Sequence, residues 1–329
     1  MASATEERLR GGIDLGGTKI QAVTVNAEGE VAGEEKLPTP TEGGPEDVAQ
    51  QMLAALRGAA DDASFDPSQL ERVGVGSPGD VDATTGTVSE ARNLPGWEGG
   101  FNLGERLARD LGVPVTIGND VDVAVQAEVE LGAARQHSSA LGVWWGTGVG
   151  GGVVVDRRLW RGRGAAGEIG HMVVKRDGAH CPCGRRGCME AYAGRKAMER
   201  RAREEHDKGR HTHLFKLMHH HGRDRLTSGI WERALDHGDE LAEELLDRAV
   251  EALGTGVASA CNLLDPEVVI LGGGLGDRLG ARYAEAIRAE MGKHLFSDQD
   301  PPALVLSELG DLGGAIGATL LRPPGKDDT

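Results

Sequence analysis

Positive charge is in short supply. The 329 residues carry 36 Lys and Arg against 52 Asp and Glu, a formal net charge of −16 at pH 7, which excludes a general role gripping nucleic acid backbones or anionic membranes. Cysteine is scarce too. There are four, and three of them, Cys181, Cys183 and Cys188, lie within eight residues of one another, too close for the disulfide framework of a secreted domain and well placed to share a metal. A long apolar run is missing: the longest uncharged stretch, 138–155, has 18 residues, six of them glycine, and reads as strand, loop, strand rather than a membrane span. The opening MASATEERLR has neither the apolar core of a signal peptide nor the acid-poor character of a transit peptide, so a cytoplasmic protein is expected. The 51 glycines have no collagen-like period and cluster beside Val, Ile and Leu runs, as tight loops between buried strands do. With 39% hydrophobic and 27% charged residues, the chain has the apolar material for a core.

The chain's length suggests two domains. The first structured segment is GIDLGGTK, 12–19, followed by extended runs at 20–25 and 31–37 separated by a turn, which predicts a three-stranded meander. Pro45 opens a helix, 73–75 is a buried strand ending in Gly76-Ser77-Pro78-Gly79, and Asn102 caps a helix to Leu111. A strand at 113–117 passes through Gly118-Asn119-Asp120 into a helix reaching about Leu131. The opening pattern then recurs: LGVWW, 141–145, enters the loop GTGVG, 146–150, and GGVVV, 151–155, leaves it. Two copies of strand, glycine loop, strand imply two similar halves. A helical stretch from about Met189 to Asn262, a strand at 268–271 ending in Gly272-Gly273-Gly274, a helix to about Lys293, a strand at 303–306 and a helix at 312–321 complete the second half. The expected boundaries are 1–118 plus 311–329 for a smaller N-terminal domain and 119–310 for a larger one carrying a knuckle at 171–188.

GTGVGG at 146–151 satisfies G-x-G-x-x-G, but that fingerprint needs the glycines to open a helix, and here Val153-Val154-Val155 continues as strand. Glycine hairpins still offer backbone N–H groups to phosphate and tolerate positive φ, so two related hairpins in duplicated halves suit the phosphates of one nucleotide. His171, Cys181, Cys183 and Cys188 give four N/S ligands, with Gly184 and Gly187 where a knuckle must turn. That donor set describes closed, structural Zn²⁺. Cys261 sits among apolar residues as a small buried side chain, and six of the eleven histidines lie in 206–221, where they suit the solvated face of an amphipathic helix. Asn119-Asp120, at a strand end and helix start, suits either a plain cap or a reactive pair. Glu168 and Glu190 flank the knuckle, which would hold both rigidly enough to orient sugar hydroxyls.

Together, DLGGTK (14–19), SPG (77–79), NLPGW (93–97), GND (118–120), GTGVGGG (146–152), GEIGH (167–171), CPCGRRGCME (181–190) and LGGG (271–274) resemble the ROK family, in its order, over about residues 11–321. The resemblance implies an α/β, actin-like ATPase fold built from duplicated ribonuclease H-like halves, with ATP and a sugar in the interdomain cleft. It implies Asp120 as catalytic base; Asn119, Glu168, His171 and Glu190 as sugar contacts, with Gly79 and Asn93 beside them; Gly16, Gly17, Thr18, Lys19, Gly146, Thr147 and Gly148 as phosphate loops; Gly272, Gly273 and Gly274 as the adenosine loop; and Asp14 orienting hydrated Mg²⁺. His171 would then serve zinc and sugar alike. NLPGW most resembles the family's bacterial ATP-dependent glucokinases, so phosphorylation of glucose at the 6-hydroxyl is expected, with mannose, fructose and N-acetylmannosamine as alternative hexoses and a homo-oligomer, dimer or tetramer, as the assembly. The family's repressors would need an N-terminal DNA-binding module of ~60 residues; only about ten precede Ile13. Trp144, Trp145 and Ala193-Gly194-Arg195, where many members carry a serine, depart from the family pattern.

Overall fold

The glycine-rich turn at 16–18 joins two strands that pair antiparallel, β1 (Arg10–Leu15) and β2 (Lys19–Val25), and β3 (Val31–Pro38) completes the expected meander. The structure, a computed structural model, describes residues 8–91, 93–297 and 299–323. After α1 (Pro45–Asp62), opened by Pro45 at a position whose N–H needs no partner, β4 (Val73–Ser77) pairs parallel to β1. Three short strands, β5 (Asp80–Asp82), β6 (Thr87–Ser89) and β7 (Phe101–Asn102), form a separate small sheet. None of them is predicted from sequence, because two or three residues show no alternation. Asn102 caps α2 (Leu103–Leu111), its side chain accepting from the Glu105 N–H.

The next strand, β8, spans Val115–Asn119 rather than 113–117. Its pairing with β4 begins at Val73↔Val115, after Pro114, and runs on to Ser77↔Asn119, so the strand delivers Asn119 directly to the start of α3 (Asp120–Glu130). The first sheet has the order β3-β2-β1-β4-β8.

Residues of the second unit repeat this plan. β9 (Ala140–Trp145), β10 (Val149–Val155) and β11 (Arg158–Leu159) form the meander. The helical stretch resolves into α4 (Glu190–Ala193), α5 (Arg195–Asp207), α6 (Leu214–His220), α7 (Ser228–Asp236) and α8 (Glu240–Leu264). Then β12 (Val268–Gly272), α9 (Gly273–Gly292) and β13 (Ala303–Leu306) close the sheet in the order β11-β10-β9-β12-β13. Three antiparallel strands followed by two parallel ones, in the same spatial order twice, are the duplicated ribonuclease H-like halves of an actin-like ATPase fold. The histidines of 206–221 do not share one helix. His206 stacks near Phe215, with ring centroids 4.8 Å apart, and α6 buries Leu214, Phe215 and Met218 while exposing His219 and His220. Cys261 is buried, as expected.

The compact units are Met1–Gly132 with Asp311–Thr329, and Ala133–Gly310. The expected break at 118/119 therefore falls instead at 132/133, because α3 belongs to the first unit. The returning helix, α10 (Gly313–Ala318), explains why. A Cβ on Gly317 would stand 2.0 Å from the Val123 carbonyl oxygen of α3, and Cβ atoms on Gly12 and Gly74 would stand 2.0 and 1.7 Å from the carbonyl oxygens of Ala315 and Ala318. Helix and sheet meet backbone to backbone, so only glycine fits at these points. Gly74→Ala is expected to destabilise the protein by at least the ~1–3 kcal/mol typical of overpacking, as a lowered urea midpoint with unchanged slope; an unchanged midpoint would contradict this packing.

Candidate active site

In the first unit the functional side chains gather at the C-terminal ends of β1, β4 and β8. Asp14 of β1 is in register with Gly76 of β4, and Gly76 with Gly118 of β8. A Cβ on Gly76 would lie 3.4 Å from the Asp120 Cα, so the glycine leaves room between the two acids. Asn119 is both cap and candidate contact: its Oδ1 accepts from the N–H groups of Val121 and Asp122 at 3.0 and 3.1 Å, a role that engages the oxygen and not the amide nitrogen. Asp120 opens α3, and its Oδ1 accepts from the Val121 N–H at 3.0 Å. Asp14 differs. Burial, with the neighbouring charge of Asp120, pushes its carboxyl up to about 7 against the pull of Lys19.

The turn at 16–18 is held by Gly16 N–H donating to the Lys19 carbonyl at 2.9 Å and by the Thr39 hydroxyl donating to the Gly16 carbonyl at 2.6 Å. Thr18 is exposed. Lys19 pairs with Asp311 at 2.9 Å, and Lys36 meets the other oxygen of Asp311 at the same distance. Neither Gly16 nor Gly17 has positive φ. What Gly17 supplies is proximity, since a Cβ there would lie 3.0 Å from the Asn93 Nδ2. Asn93 is presented by a loop pinned through buried Trp97, whose indole N–H donates to the Val88 carbonyl at 3.1 Å. Gly79 does need its residue type, with φ of +94°.

In the second unit the hairpin glycines 146 and 148 likewise lack positive φ. A Cβ on Gly148 would stand 2.2 Å from the Glu190 Oε2, and that same oxygen accepts from the Val149 N–H at 3.0 Å. Glu190 is thus wedged into the hairpin. The GEIGH loop lies on β10 in the same way: Cβ atoms on Gly170 and Gly167 would meet the carbonyl oxygens of Val149 and Gly151 at 1.9 and 2.6 Å. Glu168 is less constrained than the sequence suggests, its side chain 66% exposed and its Oε2 3.8 Å from the His171 Nε2.

The ligand atoms of His171, Cys181, Cys183 and Cys188 all lie within 4.8 Å of one another, and among the described residues they form the one such metal-competent group. Cys183 and Cys188 sulfurs are 3.7 Å apart, and Cys181 Sγ is 3.6 Å from His171 Nδ1. Tetrahedral zinc with bonds of about 2.0–2.3 Å needs edges of about this length. Gly184 and Gly187 turn the knuckle at φ of +88° and +78°. Burial pushes the Cys181 thiol up to about 12, a preference that a divalent cation reverses by holding the thiolate. The imidazole divides its two nitrogens, Nδ1 toward the thiols and Nε2 toward Glu168.

Arg195 is a residue that sequence reasoning leaves without a role. Its Nη2 donates to the Thr147 hydroxyl at 2.8 Å and its Nη1 to the Leu226 carbonyl at 2.8 Å, while the backbone N–H groups of Arg195 and Lys196 donate to the carbonyls of Gly146 and Thr147 at 3.1 Å each. The signal was the departure at 193–195 itself. The two tryptophans are also accounted for. Trp145 is fully buried, donating its indole N–H to the Ala193 carbonyl at 2.8 Å, and Trp144 covers Gly272, whose Cβ would lie 3.1 Å from its ring. Gly273 takes φ of +83°, and Gly272-Gly273-Gly274 forms the cap and first turn of the 20-residue α9. Gly146 lies beside it, its Cβ position 3.7 Å from the Gly274 nitrogen. A helix N-terminus beside a glycine hairpin has the chemistry for phosphate as much as for adenosine.

A duplicated ribonuclease H-like fold with glycine hairpins, an acid at a helix start and a Cys₃His knuckle defines a class of sugar-handling ATPases. The sequence profile of the ROK family matches residues 10–323, and the chain belongs to that family. It is 35% identical over 309 residues to a protein named Glucokinase from Thermotoga maritima, covering 93% of this chain and 95% of that one. Among solved structures it is similar to a ROK family glucokinase from Streptomyces griseus in complex with glucose and AMPPNP, with TM-score 0.80 and 32% identity over 94% of this chain and 98% of that one. It is also similar to the ROK hexokinase of Thermus thermophilus, with TM-score 0.76 and 34% identity over 95% and 97% of the two chains.

The Asp14 carboxyl makes a pH test. Its folded value of about 7 stands above the ordinary 3.8, so the stability it contributes is present in full below about pH 4 and is lost as pH rises through 7. Asp14→Asn removes that loss. The variant is expected to match the parent near pH 4 and to become more stable than it by on the order of 4 kcal/mol above pH 7, read from urea unfolding without ligands at a series of pH values. A constant difference across the series would place Asp14 in a solvated site.

Proposed function

We propose that this protein is an ATP-dependent glucokinase, transferring the γ-phosphoryl group of ATP to the 6-hydroxyl of glucose. The observation that carries this is Asp14 and Asp120 gathered at the strand ends, the first with its carboxyl pushed up to about 7 by burial and the second at a helix start, in a chain whose relatives over nearly full length include proteins named Glucokinase and a solved ROK family glucokinase in complex with glucose and AMPPNP. Phosphoryl transfer is positioning and charge neutralisation more than covalent chemistry. Asp120 is the group to accept the proton from the attacking hydroxyl. Asn119, its oxygen committed to the cap, offers its amide N–H to the sugar. Asn93 and Gly79 stand in the same unit. In the second unit Glu190, His171 through Nε2, and Glu168 supply acceptors and a donor for sugar hydroxyls, and the fixed Glu190 sets their position.

The backbone N–H groups and side chains of Gly16 to Lys19, of Gly146 to Gly148 and of the start of α9 are assigned to the nucleotide. The Asp14 carboxylate is a hard oxygen donor that would hold a Mg²⁺ arriving with ATP, whose charge would offset that of the phosphates. His171, Cys181, Cys183 and Cys188 would hold a Zn²⁺ with all four positions filled by protein, which would then supply cross-linking alone. Thiols committed to such a set suit a reducing compartment, hence the cytoplasm. A homo-oligomer, dimer or tetramer, is the assembly proposed from the family resemblance. Among the described residues no helix is long and apolar enough to cross a membrane.

Two substitutions test this. Asp120→Asn keeps the size and removes the proton acceptor, so kcat in a coupled glucose assay should fall at least ~10²-fold with glucose binding by calorimetry changed less; near-parental turnover would sink the base assignment, and preference for mannose, fructose or N-acetylmannosamine in the parent would change the substrate. Cys183→Ser should lower bound zinc below one per chain by elemental analysis and abolish glucose phosphorylation, while a nucleotide analogue still binds. Full activity in verified zinc-free protein would remove the organising role.

A further inference from the structure

Residues of the knuckle, α4, α5 and α8 line a concavity of about 350 Å³ within the second unit, in the size range of small-ligand sites. Its charged wall is built by the knuckle and two helices. Arg186 comes from the turn between Cys183 and Cys188, Arg200 and Arg201 from α5, and Arg248 from α8. In a chain of net charge −16, four guanidinium groups face one carboxylate, Glu204.

That carboxylate is already engaged. Arg201 pairs with Glu204 at 3.0 Å and with Glu205 at 2.8 Å, and Arg248 pairs with Glu244 at 2.7 Å. Arg186 and Arg200 have no carboxylate partner among the described residues. Arg186 donates to the Gly178 carbonyl at 3.1 Å and to the His180 Nε2 at 2.6 Å, and Arg200 donates to the His180 carbonyl at 3.2 Å. Both arginines are therefore oriented by one residue, and each keeps N–H donors that these bonds do not use. The floor is apolar, with Met198 and Leu245.

The geometry points to a binding site for a phosphate group at this concavity. Two unpaired guanidinium charges match a phosphate dianion, and their planar forks suit its oxygens. The apolar floor and a volume well beyond one phosphate favour a phosphomonoester over the free anion. Tyr192, which lines the site and accepts from the Ala179 N–H at 2.7 Å, ties it to the one-turn helix that begins with Glu190.

Equilibrium dialysis of the full chain with radiolabelled orthophosphate, in the presence of glucose and saturating AMPPNP to fill the phosphate loops, tests this. About one phosphate per chain should be retained, more weakly as chloride is raised. Replacing both arginines, Arg186→Gln with Arg200→Gln, should weaken it at least ~10-fold while leaving glucose turnover in phosphate-free buffer at the parental rate, which also certifies folding. Displacement at lower concentration by glucose 6-phosphate than by unlabelled orthophosphate would identify the phosphomonoester, and the reverse the free anion. No retention above a chloride-matched control, or retention unchanged in the double variant, overturns the site. Binding of AMPPNP is measured in the same dialysis, so failure of the kinase assignment is separable from absence of this site.

Discussion

The carboxylate of Glu190 occupies the space that a side chain at position 148 would fill, and much of the second unit's candidate site is arranged by that one fit. Its Oε2 accepts the Val149 N–H while its Oε1 lies 3.9 Å from the Cys181 sulfur, so one residue touches both the glycine hairpin and the knuckle. From there the chain follows the hairpin. Ala193 accepts from Trp145, and the backbone of Arg195 and Lys196 donates to Gly146 and Thr147. The hairpin therefore has few conformational choices left, and its glycines are explained by approach distance rather than by backbone freedom. A metal in the Cys₃His set would lock the other end of the same segment through Cys188, two residues before Glu190.

The first unit solves a different problem. It brings two acids, Asp14 and Asp120, to the ends of β1 and β8 on either side of β4, and like charges that sense each other resist joint ionisation. Burial and the charge of Asp120 push the Asp14 carboxyl up to about 7, and Lys19, itself tethered to Asp311, pulls against them. A carboxyl raised in this way fits an acid that gains a cation on binding its ligand better than one that must act as a base in every state.

Much of this was legible in the sequence because it is local. The meanders, the Pro45 and Asn102 helix starts, the turns at Gly184 and Gly187 and the Cys₃His spacing each depend on a few adjacent residues. What was not legible depends on residues distant in sequence. Nothing near position 118 tells that α3 stays with the first unit, because the deciding contact is Gly317 against Val123, nearly two hundred residues away. Strands β5 to β7 are too short to alternate. The purpose of a hairpin glycine, positive φ or close approach, is likewise invisible until Asn93 and Glu190 are seen beside Gly17 and Gly148.

The departures from the family pattern are informative for the same reason. Buried Trp145 donates its indole N–H to the Ala193 carbonyl, so one departure holds the backbone of the other. Two residues on, Arg195 reaches the Thr147 hydroxyl, so a cation stands at the hairpin proposed to handle phosphate. Burial lowers the pKa of that guanidinium without approaching neutrality, and its charge persists at any working pH. The hairpin's electrostatics thus rest on more than backbone dipoles. An arginine that holds Thr147 through one nitrogen and the Leu226 carbonyl through another gives the hairpin a fixed positive charge that the glycine motif alone does not encode.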